Sequence, residues 1–265
     1  MNNINNVSPL RYPGGKTRAC KKLDEIINIY FKLNDFDTLV SPFFGGGSFE
    51  FYVQNKYNYK LIVNDKFTPL YNFWKQVKTN KNELCNKLYK VKTVTKEDFT
   101  NYRNSILKLE NDILKQSTQY FIINRCSFSG ATLSGGFSEE ASIKRFTQSS
   151  IDRIKDLDFG NIDIYNLDFE NFILNNVNDK YLLFLDPPYY LEKKSKLYGN
   201  NGDMHEQFDH NKLYNIVKTK KNWMMTYNKC KYILDLYKDY IIIDVNWSYG
   251  MNKSKESSEI IIISK

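Results

Sequence analysis

Seven short apolar runs set the frame for this chain. They are Thr38–Ser41, Lys60–Asn64, Ile162–Leu167, Tyr181–Leu185, Trp223–Tyr227, Tyr240–Val245 and Glu259–Ser264. Runs of this length, bounded by turn residues, suit buried strands rather than helices. Helical patterns near 17–31, 48–55, 68–77, 169–176, 209–219 and 230–238 fall between them. That alternation predicts an α/β fold. No helical pattern separates the last two runs, so they read as a hairpin that ends the sheet antiparallel.

Residues 70–150 break the rhythm. This stretch reads as helices through about Asn124, followed by the glycine- and serine-rich segment Ser127–Ser138. The Gly135-Gly136 pair there is a turn signal, and a β-hairpin is the expectation. The stretch reads as an insertion between two halves of one sheet, with 1–69 and 151–265 forming the main domain.

Charge narrows the partners. The 265-residue chain carries a formal net charge of +8. Residues 71–150 hold thirteen Lys and Arg against seven Asp and Glu, so most of the excess sits in the insertion. A basic surface favours a polyanion, although a solvated helical face has the same composition. Aromatic residues make up 15% of the chain, which either reflects coding bias or supplies rings that stack on bases. Cys20, Cys85, Cys126 and Cys230 form no CxxC pair, and with His205 and His210 they offer no zinc-ligand spacing. No metal is therefore expected. The absence of a long apolar stretch or a signal-peptide core predicts a soluble intracellular protein, with no membrane partner.

Four segments carry chemistry. Phe43–Ser48 reads FFGGGS between a strand and a helix, where Gly45, Gly46 and Gly47 let backbone approach a ligand. It is not the dinucleotide fingerprint. Asp65 closes the second strand, where a carboxylate either accepts ribose hydroxyls or caps a turn. Arg11–Lys16 reads RYPGGK; a phosphate loop would need glycine at position 10, which is Leu10. Asp186–Tyr189 reads DPPY directly after the apolar strand YLLFL. Pro187 and Pro188 end that strand sharply and stiffen the turn. The turn then offers a carboxylate, a prolyl carbonyl and the ring of Tyr189, which suits a planar heterocycle bearing an amino group.

Taken in order, RYPGGK, SPFFGGGS, IVND, NLDF (166–169) and DPPY resemble the Dam-like family of DNA adenine N6-methyltransferases. Residues 121–137 also look like the family's segment leading into a DNA-reading hairpin. The resemblance implies a Rossmann-like class I methyltransferase sheet with a mostly helical target-recognition insertion. It implies S-adenosyl-L-methionine as cofactor, double-stranded DNA as partner and N6 of a flipped adenine as the target, in a monomer or weak dimer. Arg11, Tyr12, Gly14, Gly15, Lys16, Phe43, Gly45–Gly47 and Ser48 would contact the cofactor. Asp65 would bind its ribose, and Asp168 with Phe169 its adenine. Asp186 and Tyr189 would face both the cofactor and the target base, with Pro187 and Pro188 completing the catalytic turn. For DNA the expected contacts are Arg125, Ser127, Ser129, Thr132, Leu133 (a wedge), Ser134 and Arg145, with Lys193 and Lys194 on phosphates.

Two positions depart from the family pattern. Ser41 stands where an acidic residue usually precedes the Pro-Phe of the glycine turn. The segment 131–136 has no Arg, so GATC is not carried over as the target. Methylation of adenine in RNA or of a protein glutamine, a catalytically silent DNA-binding homologue, and a nicotinamide oxidoreductase are the alternatives at this point. Asp186 at the first motif position speaks against glutamine.

Overall fold

The computed structural model describes residues 7–12, 14–190, 208–246 and 258–264. Seven strands form one sheet: β1 (Thr38–Ser41), β2 (Lys60–Asn64), β3 (Ile162–Tyr165), β4 (Leu182–Leu185), β5 (Trp223–Asn228), β6 (Ile241–Asn246) and β7 (Ser258–Ile263). Their order is β3-β2-β1-β4-β5-β7-β6. The first five pair in parallel. β7 runs antiparallel to both its neighbours, entering between β5 and β6. The predicted ends shift by a residue or two, which is ordinary for element termini.

The order reverses between β1 and β4. In a doubly wound sheet that crevice, at the carboxyl ends of the strands, is where ligands bind. Ser41 and Leu185 are the last residues of these two strands, so the glycine turn and DPPY open onto the same crevice.

α1 (Cys20–Tyr30) and α2 (Ser48–Tyr57) flank the amino-terminal half. Six helices then occupy the chain between β2 and β3: α3 (Thr68–Thr79), α4 (Lys81–Tyr89), α5 (Lys96–Ser105), α6 (Ile113–Cys126), α7 (Glu139–Lys144) and α8 (Gln148–Asp156). α9 (Phe169–Asn176), α10 (His210–Val217) and α11 (Lys231–Leu236) are the remaining α-helices among the described residues.

The inserted helices do not build a core apart from the sheet. Trp74 of α3 is fully buried, with the Phe44, Phe51 and Phe159 ring centroids 5.3, 5.7 and 5.7 Å from its own, and Phe73 stacks on Phe121 of α6 at 5.8 Å. One apolar cluster thus runs from β1 and β2 into the insertion, while a second covers the opposite face of the sheet. Burial of aromatic rings on this scale fixes the insertion's position against the crevice.

The expected β-hairpin at 127–137 is not formed as a ladder. A single bridge joins Ser127 to Phe137. Between them the chain makes two 3-10 turns, Phe128–Gly130 and Thr132–Ser134. Ser129 and Thr132 take positive φ (58° and 47°), and the Ser127 hydroxyl accepts the Thr132 N–H at 3.2 Å. Local side-chain bonding competes with strand pairing here, as short hydroxyl-rich segments allow.

Candidate active site and nucleic-acid interface

A cavity of about 700 Å³ lies at the crevice. On one side the turn after β1 descends from Pro42 to Gly47, with Phe44 N–H bonded to the Asn64 carbonyl at 2.9 Å. Gly45 has φ 49°, and a Cβ there would lie 2.8 Å from the Tyr12 ring. The glycine therefore admits Tyr12 as well as a left-handed backbone. Tyr12, Gly14, Gly15, Lys16, Phe43, Gly45–Gly47 and Ser48 all line the cavity.

Arg11 does not. Its guanidinium donates to the carbonyls of Arg125 (3.3 Å) and Ser127 (3.0 Å), and Asn124 bonds both its N–H and its C=O. Arg11 therefore clamps the amino-terminal segment onto α6 and the 127–137 loop, rather than reaching a cofactor.

Asp65 is buried at the rim of the turn. Its carboxylate accepts the N–H groups of Gly45 and Phe67, each at 2.9 Å. Burial pushes its carboxyl up to about 6, against the pull of those two donors. Asp168 caps α9 through the Glu170 N–H (3.1 Å) and pairs with Lys66 at 2.9 Å. Phe169 packs with Phe43 and Phe208 at centroid separations of 5.9 and 5.1 Å, and all three rings line the cavity. Sequence reasoning missed Phe208.

The catalytic end is a polar network. Lys16 Nζ donates to both Asp186 oxygens (2.9 and 3.1 Å), to the Tyr189 hydroxyl (2.9 Å) and to the Gly14 carbonyl (3.1 Å). Thr226 Oγ1 donates to Asp186 Oδ1 at 2.5 Å, and the Tyr189 hydroxyl donates to Glu259 Oε2 at 3.0 Å. Asp186 keeps a quarter of its side chain exposed toward the cavity, while Lys16 and Glu259 are buried. Pro187 and Pro188 complete this wall. Thr226 and Glu259 were not singled out from sequence. Their signal was a polar residue inside or heading an otherwise apolar strand, WMMTY and EIIII.

Glu50 was also missed. It sits in the first turn of α2, 3% exposed, and lines the cavity. The Ser41 hydroxyl donates to its Oε1 at 2.6 Å. Burial drives its carboxyl up to about 8, although the Ser41 hydroxyl and its own backbone N–H favour the charged form.

Several expected DNA contacts are redirected. Arg125 is 7% exposed; its guanidinium donates to the Arg145 carbonyl (2.6 Å) and to the Pro9 carbonyl (3.1 Å), so it braces the fold. Leu133 is 7% exposed and belongs to the core, which removes it as a wedge. Ser127 is fully buried, and its hydroxyl donates to the Asn124 carbonyl of α6 at 3.2 Å. Ser134 donates to the Ala131 carbonyl at 2.8 Å. Ser129 is half-buried, Thr132 lines the cavity, and Arg145 remains exposed. Phe128, unremarked in the sequence, is 70% exposed at the head of this loop. Lys193 and Lys194 lie outside the described residues. Among the described residues no cluster of three or more His, Cys, Asp or Glu is placed to hold a metal ion, and no helix is long and apolar enough to cross a membrane.

A mostly parallel seven-stranded sheet with one reversed strand, opening at its switch point on glycine turn and DPPY together, defines a Rossmann-like methyltransferase. The chain belongs to the D12 class N6 adenine-specific DNA methyltransferase family, whose profile matches residues 12–251. It is 25% identical over 198 residues to the type II methyltransferase M.MjaIII of Methanocaldococcus jannaschii, covering 68% of each protein. It is 24% identical over 248 residues to the type II methyltransferase M.CviBI of Paramecium bursaria Chlorella virus NC1A, covering 91% of this chain and 90% of that one. The protein is thus a DNA adenine methyltransferase.

Proposed function

We propose that the protein moves the methyl group of S-adenosyl-L-methionine to the N6 amino group of an adenine turned out of double-stranded DNA. The observation that carries this reading is Asp186, presented to the cavity from a stiff turn and held by Lys16 and Thr226. The cavity suits the cofactor in its parts. Asp65 stands at a strand end beside the glycine turn, and Phe43, Phe169 and Phe208 supply apolar rings for a nucleobase. Bound S-adenosylmethionine supplies an electrophilic methyl on sulfonium.

The chain's own work is positioning and electrostatics. An adenine amino group has its lone pair delocalised into the ring. Asp186 and the Pro187 carbonyl, accepting its two N–H bonds, would draw that nitrogen toward tetrahedral geometry. Lys16 and Thr226 fix the Asp186 rotamer, so the acceptor needs little reorganisation. The Tyr189 ring offers the stacking surface for the extruded base. Double-stranded DNA would meet the basic insertion and the 127–137 loop, which borders the cavity at Thr132. Residues 70–150 serve as the target-recognition insertion in this reading, and restriction–modification is its natural setting.

The test is to incubate the protein and labelled S-adenosylmethionine with duplex DNA, single-stranded DNA and RNA, then map the modified bases. N6-methyladenine on duplex DNA is expected. Label on RNA alone, or at another base, overturns the proposal.

A further inference from the structure

Glu50 is a buried carboxylate that the transfer reaction above does not use. Its side chain forms part of the cavity wall at 3% exposure, steadied by the Ser41 hydroxyl at 2.6 Å. Burying a carboxylate without a cationic partner is costly, so such a group keeps its proton until a cation reaches it. Its surroundings make it stranger. Glu50, Asp65, Asp186 and Glu259 all line the cavity, and Lys16, the one buried cation among the lining residues, is taken up with Asp186. Lys66 and Lys212, also in the lining, pair with Asp168 and Glu170. Among the described residues the lining therefore carries more carboxylates than cations and is complementary to a cationic ligand.

Position decides which cation each carboxylate meets. Asp65 grips the start of the glycine turn at Gly45, the nucleoside side in the reading above. Glu50 stands beyond the other end of that turn, in the first turn of α2, whose amino-terminus follows Gly47. A ligand lying along the turn with its nucleoside at Asp65 carries its amino-acid end to Glu50. We infer that the Glu50 carboxylate, held by Ser41, receives the α-ammonium of the cofactor's methionine moiety and selects nucleosides that carry an amino acid. This rests on the cavity being the S-adenosylmethionine site. The raised carboxyl of Glu50 agrees with it, since an arriving ammonium supplies a counter-charge to set against its burial.

Calorimetric binding of two ligands separates this role from a structural one. S-Adenosylhomocysteine keeps the ammonium; 5′-S-(3-carboxypropyl)-5′-thioadenosine is the same molecule without it. The parent is expected to prefer the first by about 10- to 100-fold, the range of a charge-assisted hydrogen bond. Glu50→Gln abolishes that preference and leaves the deamino ligand within about threefold of its parent affinity. The double variant Ser41→Asp/Glu50→Gln, which returns a carboxylate to the same pair of positions, restores the preference and guards against misfolding of the single variant. An equal loss for both ligands in Glu50→Gln makes Glu50 a cavity wall only and overturns the inference, as does an unchanged preference. If the parent binds neither ligand, the cofactor reading itself fails, an outcome visible before any variant is made.

Discussion

Lys16 Nζ lies 2.9 Å from Asp186 Oδ1, joining a glycine-lysine turn near the amino-terminus to a DPPY turn 170 residues later. The contact makes one unit of two motifs. Lys16 is buried and surrounded by Asp186, Tyr189 and Glu259, so its charge is compensated from three directions. Replacing Lys16 by Met leaves two buried or half-buried carboxylates facing each other. Lys16→Met is expected to lower the melting temperature and to reduce methyl transfer by about 100-fold, the scale of losing one oriented electrostatic contact. Lys16→Met/Asp186→Asn should recover melting temperature relative to Lys16→Met but not activity. Additive losses in that cycle, measured by thermal denaturation, would show that the two side chains are energetically independent.

Asp186→Ala is expected to cost ~100-fold or more in turnover with the fold retained, because the carboxylate's task lies in the transition state. Its loss leaves the Thr226 hydroxyl without that acceptor, which local rearrangement at the exposed side can relieve. Near-parental turnover in single-turnover assays on duplex DNA would remove Asp186 from the mechanism.

The Tyr189 hydroxyl changes what a conservative substitution does. A ring used only for stacking would tolerate Tyr189→Phe with mild effect. Here the hydroxyl receives from Lys16 and gives to Glu259. Tyr189→Phe is therefore expected to slow transfer by about tenfold, the cost of an unmade bond to charged groups, and Glu259→Gln by a similar factor. Tyr189→Ala loses the stacking surface as well and falls further. The discriminating measurement is the ratio of the Phe and Ala variants; equality would mean that the hydroxyl carries all of the effect.

What sequence revealed followed from how local each signal was. The strands, the glycine turn and DPPY are written in contiguous residues, so the sheet and the crevice could be anticipated. Arg125 and Leu133 misled because polarity or apolarity at one position does not say which way a side chain faces. In α6 every residue from Gln119 to Cys126 is buried, polar and apolar alike, so the helix has no free face there for Arg125 to present. The 127–137 loop misled for a different reason, since its hydroxyls satisfy backbone within the loop instead of leaving it to pair as strands. Ser41 brings no carboxylate of its own, yet the structure carries Glu50 to it from nine residues onward. Such a pairing shows only when β1 and α2 are packed together.

The exposed Phe128 replaces Leu133 as the group expected to enter the DNA. It is 70% exposed beside the cavity-lining Ala131 and Thr132, whereas Leu133 faces the core. Phe128→Ala should leave the melting temperature unchanged and weaken base extrusion, read as reduced 2-aminopurine fluorescence at the target position. Leu133→Ala should instead destabilise the fold by about 2–5 kcal/mol, as buried Leu truncations do. The opposite assignment of the two phenotypes would return the wedge role to Leu133.

Stability should carry a pH signature from the cavity. Burial pushes the Glu50 carboxyl up to about 8 and the Asp65 carboxyl up to about 6. The groups facing Glu50 are Ser41 on β1, Cys20 on α1, and the Lys16–Asp186 pair; Lys16 favours its charged form, and Asp186 opposes it. In an unfolded chain a Glu titrates near pH ~4.3. Between that value and about 8 the folded protein therefore holds the Glu50 proton that the unfolded chain has lost. Folding stability linked to this group is present below the unfolded value and falls as pH rises through the folded one. Asp65 adds a loss of the same sign that is complete sooner. Glu50→Gln cannot titrate and keeps the shape of the protonated acid. From pH 5 to pH 9 the parent, without ligand, should lose more melting temperature than Glu50→Gln by roughly 3 °C or more, the shift expected for about 1 kcal/mol in a chain of this size. Parallel curves for the two proteins would mean that Glu50 ionises in the fold much as it does in water, and its place as a buried, uncompensated carboxylate would be wrong.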